Sequence, residues 1–343
     1  MSINGFNSQE KNIICRVPQG STLGPLLFLL YINDLHFSIK KSVANHFADD
    51  TCISYSARKI KSLETVLNHD LNIVSDWLKA NRLSLNAKKS KLIIFKSKRK
   101  LIPPESFSIK VNGFKLDPTD HVKYLGLYLD QNLSFDYHIN QLSKKLSRTN
   151  GILSKLRHFT SKETLVSVYY SLFYSHLLYG CPVWSLTSLY NINYISILQK
   201  KCIRIINFLP INSHTNNLFI DNKLLKLHDI FKVEVMKLIC NFKNNNLPED
   251  LSHLFILNSE INKYHTRNVC NQGLFIPKII TTNFGINSLK YSAPTLWNSI
   301  LKNDISLNSF KNHHSLGKYL KKTIHISLQY KLNPKMGFAL STS

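Results

Sequence analysis

The stretch from Ala44 to Tyr55 constrains the fold more than any other part of the chain. Two short strand-like runs, His46-Phe47-Ala48 and Thr51-Cys52-Ile53-Ser54-Tyr55, are separated only by Asp49-Asp50. So brief a break between β-prone runs leaves room for a tight turn and nothing longer, and aspartate is a favoured turn residue. The segment reads as a hairpin with two carboxylates at its tip and apolar neighbours that bury the flanking strands. Two negative charges beside buried strands are costly unless a cation meets them. Magnesium suits that need, because it takes carboxylate oxygens together with substrate phosphates and water. A solvated aspartate pair at a surface turn is the plainer alternative.

Elements on either side supply a frame for this hairpin. Gly24-Pro25 followed by Leu26-Leu27-Phe28-Leu29-Leu30-Tyr31-Ile32 reads as a helix with proline in its first turn. Being apolar nearly all round, it is expected to lie buried beneath a sheet. Leu63, Val66, Leu67, Leu71, Val74, Trp77 and Leu78 follow helical spacing, with a stop near Asn81 and a strand expected at Lys91 to Lys96. Asn112-Gly113 marks a type I′ turn between Ile109-Lys110-Val111 and Phe114-Lys115-Leu116. Val122 to Leu129 is strand-like. After it the pattern turns helical: Ile139, Leu142, Leu146, Leu153 and Leu156 form an apolar seam, and Lys144, Lys145, Arg148, Lys155 and Arg157 occupy other faces. Those cations either follow a nucleic-acid backbone or form an ordinary solvated face. Further helices are expected over 163–179, 194–206 and 224–241, punctuated by Pro182, Pro210 and Pro248, with more irregular structure after Ser259. The fold class is α+β.

Charge narrows the partners. Lys and Arg number 44 against 20 acids, a formal charge of +24. Such a field attracts polyanions and makes binding strongly salt-dependent, which puts nucleic acid ahead of an anionic membrane or mere solubility. Aromatic residues make up 11% of the chain, which fits base stacking and an ordinary core equally. The six cysteines show no C-x-x-C pairing, so neither a zinc module nor a disulfide framework is indicated. The amino terminus lacks a secretory pattern, and Leu26 to Ile32 is too short to span a bilayer. An intracellular protein of the nucleus or cytoplasm, without a membrane segment, is expected. Lys96-Ser97-Lys98-Arg99-Lys100 reads either as a nuclear localisation patch or as a charged strand end.

Three motifs stand in order: Val17-Pro18-Gln19-Gly20-Ser21-x-Leu23-Gly24-Pro25-Leu26-Leu27-Phe28, Tyr31-Ile32-Asn33-Asp34-Leu35 and Phe47-Ala48-Asp49-Asp50-Thr51. They resemble the palm motifs of reverse transcriptases of non-LTR retrotransposons, of the jockey-like kind. Leu83-Ser84-Leu85-Asn86-x-x-Lys89-Ser90 and Tyr124-Leu125-Gly126-x-x-Leu129-Asp130 resemble the next two. Looser matches follow at Tyr179-Gly180-x-x-x-Trp184 and Ala293-Pro294-x-x-Trp297-Asn298.

The resemblance implies a partial polymerase palm over 1–100, an antiparallel sheet with packed helices. It further implies a primer-grip hairpin and the start of a thumb over 101–158, and a mainly helical region over 159–343. It implies an RNA template, a DNA primer and deoxynucleoside triphosphates as partners, with Mg2+ or Mn2+ as cofactor. Neither a membrane nor a protein partner is called for. Asp49 matches the metal-binding aspartate and Asp50 its partner, while Phe47 stands where tyrosine is commoner. Gln19 and Gly20 match the motif lining template and incoming nucleotide. Lys89, or Lys88 beside it, matches the lysine that protonates the leaving pyrophosphate. Tyr124, Leu125 and Gly126 resemble the primer grip. Each has a plainer counterpart: a turn for Gly20, a solvated lysine for Lys89, strand core for Tyr124 and Leu125.

The chain departs from the pattern in two places. Arg16 precedes Val17 where the family has glycine, and Met1 to Arg16 holds no aspartate to match the family's first catalytic one; Glu10 is the acid there. The expectation is a truncated copy with little or no polymerase activity. A non-catalytic RNA- or DNA-binding remnant is the second reading, and a helical interaction module over 160–330 is the third.

Overall fold

The computed structural model describes residues 2–3, 5–7, 20–261, 273–278, 285, 288–301, 310 and 312–332. The chain divides into two compact units, Met1–Val122 and Lys123–Ser343. The first combines small antiparallel hairpins with helices: β1 (Ser2–Ile3), β2 (Phe6–Asn7), α1 (Leu23–Ile32), α2 (Leu35–Ser38), β3 (Val43–Phe47), β4 (Asp50–Ser54), α3 (Ile60–Ala80), β5 (Ile109–Val111) and β6 (Phe114–Leu116).

The amphipathic α3, ending at Asn81 as its periodicity requires, organises this unit. Val74 and Leu78 pack with Ile32, Leu35 and Ile39, and the inward residues Ala44 of β3 and Ile53 of β4 join them. One turn pair earlier, Leu67 packs with Phe107 and Ile109 of the second hairpin. Asp70 is wholly buried in the middle of α3 and accepts the Ser42 N–H at 2.8 Å, tying the entry of β3 to the helix. The β5–β6 turn is the expected one, with Asn112 and Gly113 both at positive φ and Val111 opposite Phe114.

Two expectations for this unit fail. Helix α1 forms with Pro25 in its first turn, but it is not buried beneath a sheet. Leu26, Leu27, Leu29, Leu30 and Tyr31 are exposed, Leu30 by 67%, and Ile32 alone of its residues is buried. A helix that is apolar all round has no preferred side, so whichever residue meets the core, the remaining circumference faces outward. Lys91 to Lys96 forms no strand either. It makes a single parallel bridge between Leu92 and Pro118, with the Thr119 N–H donating to the Leu92 carbonyl at 2.8 Å. Proline has no N–H to donate, so the ladder does not propagate.

The second unit begins within β7 (His121–Tyr124), which pairs with β8 (Leu127–Asp130), and is otherwise helical. Helix α4 (Asp136–Leu156) buries Ile139, Leu142, Leu146 and Leu153, the seam seen in the sequence. The stretch expected as one helix over 163–179 is α5 (Lys162–Val168), a widened π turn at Tyr169–Tyr174 and α6 (Ser175–Leu178). Then come α7 (Cys181–Trp184), α8 (Leu189–Ile206), α9 (Asn216–Asp221), α10 (Leu227–Lys243), α11 (Glu249–Ser252) and α12 (Asn258–Ile261). Past Ser259 the expected irregularity gives way to two regular helices, α13 (Leu289–Leu301) and α14 (His313–Leu332). Ala293, Trp297 and Leu301 recur at intervals of four and are buried despite Pro294 inside α13.

One continuous core joins these helices, with Trp184, Trp297, Tyr169 and Phe173 fully enclosed. Gln199 is its polar centre. Its amide nitrogen donates to the Tyr169 hydroxyl and the Leu225 carbonyl, and its oxygen accepts the Leu227 N–H, each at 2.9 Å. No helix among the described residues is long and apolar enough to cross a membrane.

Candidate functional site

The acidic tip sits on the β3–β4 ladder, where Val43 pairs with Ser54 and Phe47 with Asp50. Its turn is therefore Ala48-Asp49, not Asp49-Asp50, and Asp50 is the first residue of β4. Ala48 lies at φ 51°, a left-handed conformation that costs an L-residue roughly 1–2 kcal/mol. The flanking strands are not buried as expected: Val43 and Phe47 are exposed by 60% and 63%, and only the alternate face meets the core. Asp49 and Asp50 are both exposed. Neither has an ion-pair or side-chain hydrogen-bond partner among the described residues.

His46, two positions before Ala48, was not singled out in the sequence. Its Nδ1 lies 3.1 Å from the Thr51 hydroxyl and its Nε2 is buried without a partner. Burial, and then the neighbouring His36, hold its pKa below the ordinary histidine value.

Two further candidates belong to the same unit. Lys89 is exposed on a single helical turn, its N–H donating to the Asn86 carbonyl at 3.1 Å, and Lys88 is exposed beside it. Gly20 sits at φ 90° just ahead of α1, where Ser21 Oγ accepts the Gly24 N–H at 3.1 Å. Gln19 lies outside the described residues.

The primer-grip candidates occupy the β7–β8 turn. Leu125 and Gly126 both have positive φ, 43° and 83°, the signature of a type I′ turn. Beyond β8, Asp130 accepts the N–H groups of Asn132, Ser134 and Phe135 at 2.7–3.0 Å, so the carboxylate organises the entry to α4. Tyr128 lies edge-on to Tyr137, and its N–H approaches His138 Nδ1 at 3.4 Å. Burial, then the charge of Lys145, pushes the His138 pKa down to about 4.

Among the described residues no group of three or more His, Cys, Asp or Glu side chains is placed to hold a metal ion. Asp49 and Asp50 do fit a hard cation in the mode magnesium favours, in which one or two carboxylates act with substrate phosphates and water. Their unpaired oxygens are the structural observation in favour of that fit. A second adjacent acidic pair, Glu249-Asp250, opens α11, where negative charge suits a helix start.

Comparison with known proteins converges on these motifs. Residues 1–129 match the family model "Reverse transcriptase (RNA-dependent DNA polymerase)". The chain is 30% identical over 207 residues to a probable RNA-directed DNA polymerase from transposon X-element of Drosophila melanogaster, covering 58% of this chain and 22% of that protein. It is 26% identical over 273 residues to the RNA-directed DNA polymerase from mobile element jockey of the same species, covering 76% and 29%. A Pol polyprotein from the type-1 retrotransposable element R1 of Bradysia coprophila is 27% identical over 210 residues, covering 59% and 20%. The chain thus spans between a fifth and three tenths of the length of these relatives. Residues 1–129 are thus similar to the reverse transcriptase family of RNA-directed DNA polymerases, and the relatives that the chain resembles are polymerases of jockey and similar mobile elements.

Proposed function

We propose that this chain supplies the aspartate-bearing hairpin and the primer-holding turn of a polymerase that copies an RNA template into DNA. The observation that carries the reading is the Asp49-Asp50 tip, two exposed carboxylates without a side-chain partner among the described residues, inside the segment that matches the family. Asp49 and Asp50 would hold Mg2+ or Mn2+ there, which would supply activation of the primer 3′-hydroxyl and charge stabilisation on the leaving pyrophosphate. Asp49 and Asp50 contribute the protein oxygens. Gln19, Gly20 and Phe47 line the template and the incoming nucleotide, and Tyr124, Leu125 and Gly126 hold the primer end. The 3′-hydroxyl gives up its proton to solvent as its oxygen bonds to the α-phosphorus, while the bond from that phosphorus to the bridging oxygen breaks. Lys89 gives a proton to the departing pyrophosphate.

Metal uptake tests the reading without requiring turnover. Mn2+ titrated into the chain with template, primer and a deoxynucleoside triphosphate should be immobilised, and the double substitution Asp49→Ala, Asp50→Ala should weaken that roughly tenfold or more. Equal affinity in the two proteins would remove the aspartates from the site. Primer extension run beside it separates a working polymerase, whose incorporation vanishes in the double variant, from a domain that binds metal without turnover.

One observation favours a second reading, non-catalytic binding of RNA or DNA. Lys144, Lys145, Arg148 and Lys155 are all exposed along α4, a row of cations suited to phosphates. Template binding that weakens steeply with salt and ignores the double substitution would place it first.

A further inference from the structure

The β7–β8 turn is held from outside by a residue that lies more than fifty positions further along the chain. The Tyr179 hydroxyl donates to the Leu125 carbonyl at 2.5 Å. Its ring lies against Gly126, where a Cβ would stand 2.9 Å from Tyr179 Cε1, so that any side chain there would force the ring to shift. The adjoining contact is the mirror of this one. Leu127 presses on Gly180, where a Cβ would stand 2.8 Å from the leucine methyls. Each partner contributes one bulky side chain and one glycine, so the two segments interlock.

The interlock is anchored in the core. Trp184 Nε1 donates to the Tyr179 carbonyl at 2.9 Å, and the Trp184 ring, fully buried, stands edge-on to Phe231 at 5.0 Å. The tip needs such an anchor, because Leu125 is a branched residue at φ 43° and would relax toward ordinary backbone if unrestrained.

We propose that Tyr179 is a positioning residue for primer extension: it clamps the Leu125-Gly126 turn and so fixes where the primer 3′ end is held. The proposal rests on the reading of this hairpin as the primer grip. Tyr179 touches neither substrate nor metal in this role, and acts through the turn.

The test uses the full chain and the variant Tyr179→Phe, which removes the hydroxyl and keeps the ring. Amide hydrogen exchange over 121–130 reports the turn itself. A primer ending in 4-thiothymidine, annealed to an RNA template and irradiated, reports which residues its 3′ end touches. Loss of the hydroxyl should speed exchange in the turn about two- to tenfold, the worth of one hydrogen bond, while α10 exchanges as before. Cross-linking to 124–126 should fall or spread to other residues at unchanged template–primer affinity. Unchanged exchange overturns the clamp. Faster exchange with an unchanged cross-link overturns its role in placing the primer. A wild-type chain whose primer end cross-links nowhere in 121–130 overturns the primer-grip reading, and the positioning role with it, whatever the exchange shows.

Discussion

The two units solve the same problem, covering apolar side chains, in opposite ways. In the second, helices from α4 to α14 share one core that encloses two tryptophans and satisfies its polar centre, Gln199, at three positions. In the first, two small clusters sit along α3, while α1, the most apolar helix among the described residues, leaves most of its leucines in solvent. Hydrophobic character alone therefore does not mark a core. A core needs apolar residues segregated to one side, as on α4, and α1 has no such side.

Substitutions at matched apolar positions would break this comparison if it is wrong. Trp184→Ala should have the largest effect, about 3–5 kcal/mol lost from the helical unit, because it empties a fully buried site and unpins Tyr179. Urea denaturation followed by far-UV circular dichroism measures it. A loss below 1 kcal/mol would mean that the helical core is not closed as described.

The second effect is a pH dependence. His138 is held at about 4, mainly by burial, against an ordinary 6.5. Its pKa is lowered on folding, so below pH 6.5 the unfolded chain takes up a proton that the folded state refuses. Its stabilising contribution is whole above that pH and is lost as pH falls toward 4. The thermal midpoint of the helical unit should drop through this window, and less steeply in His138→Gln. Identical slopes would assign the drop to other groups.

Leu30→Ser should have the smallest effect, within about 0.5 kcal/mol, because Leu30 is already 67% exposed. A cost comparable to that of Trp184→Ala, in the same denaturation experiment, would show that α1 is covered in solution.

What could be read from the sequence followed local chemistry. Asn112-Gly113 announced its turn because few other residues accept positive φ at both positions, and α3 and α4 announced themselves by the spacing of their leucines. The acidic tip was legible as a hairpin but was displaced by one residue. Aspartate's turn preference argued for Asp49-Asp50 as the loop, yet the register pairs Ala44 with Ile53. Those residues face α3 together, and that shared burial outweighs the preference of a single turn position. Helix α13 was hidden by Pro294. The clamp was hidden more deeply: Tyr179-Gly180 showed only as a loose family match, and nothing local in either segment tells that a tyrosine will lie on Gly126. Asp130 could have been found, since an aspartate ahead of Asn132, Ser134 and a helix start is well placed to accept backbone N–H groups.

The widened turn at Tyr169–Tyr174 gives the clamp an angular setting. A π turn accommodates one extra residue within an otherwise regular helix. Each residue of an α-helix advances its neighbours by about 100°, so losing one residue there would swing everything after it by that angle. Tyr179 would then leave the face that meets Gly126. The extra residue works as a phase shift, and the hold on a turn in a distant part of the sequence depends on a count of residues in the helix that precedes Tyr179.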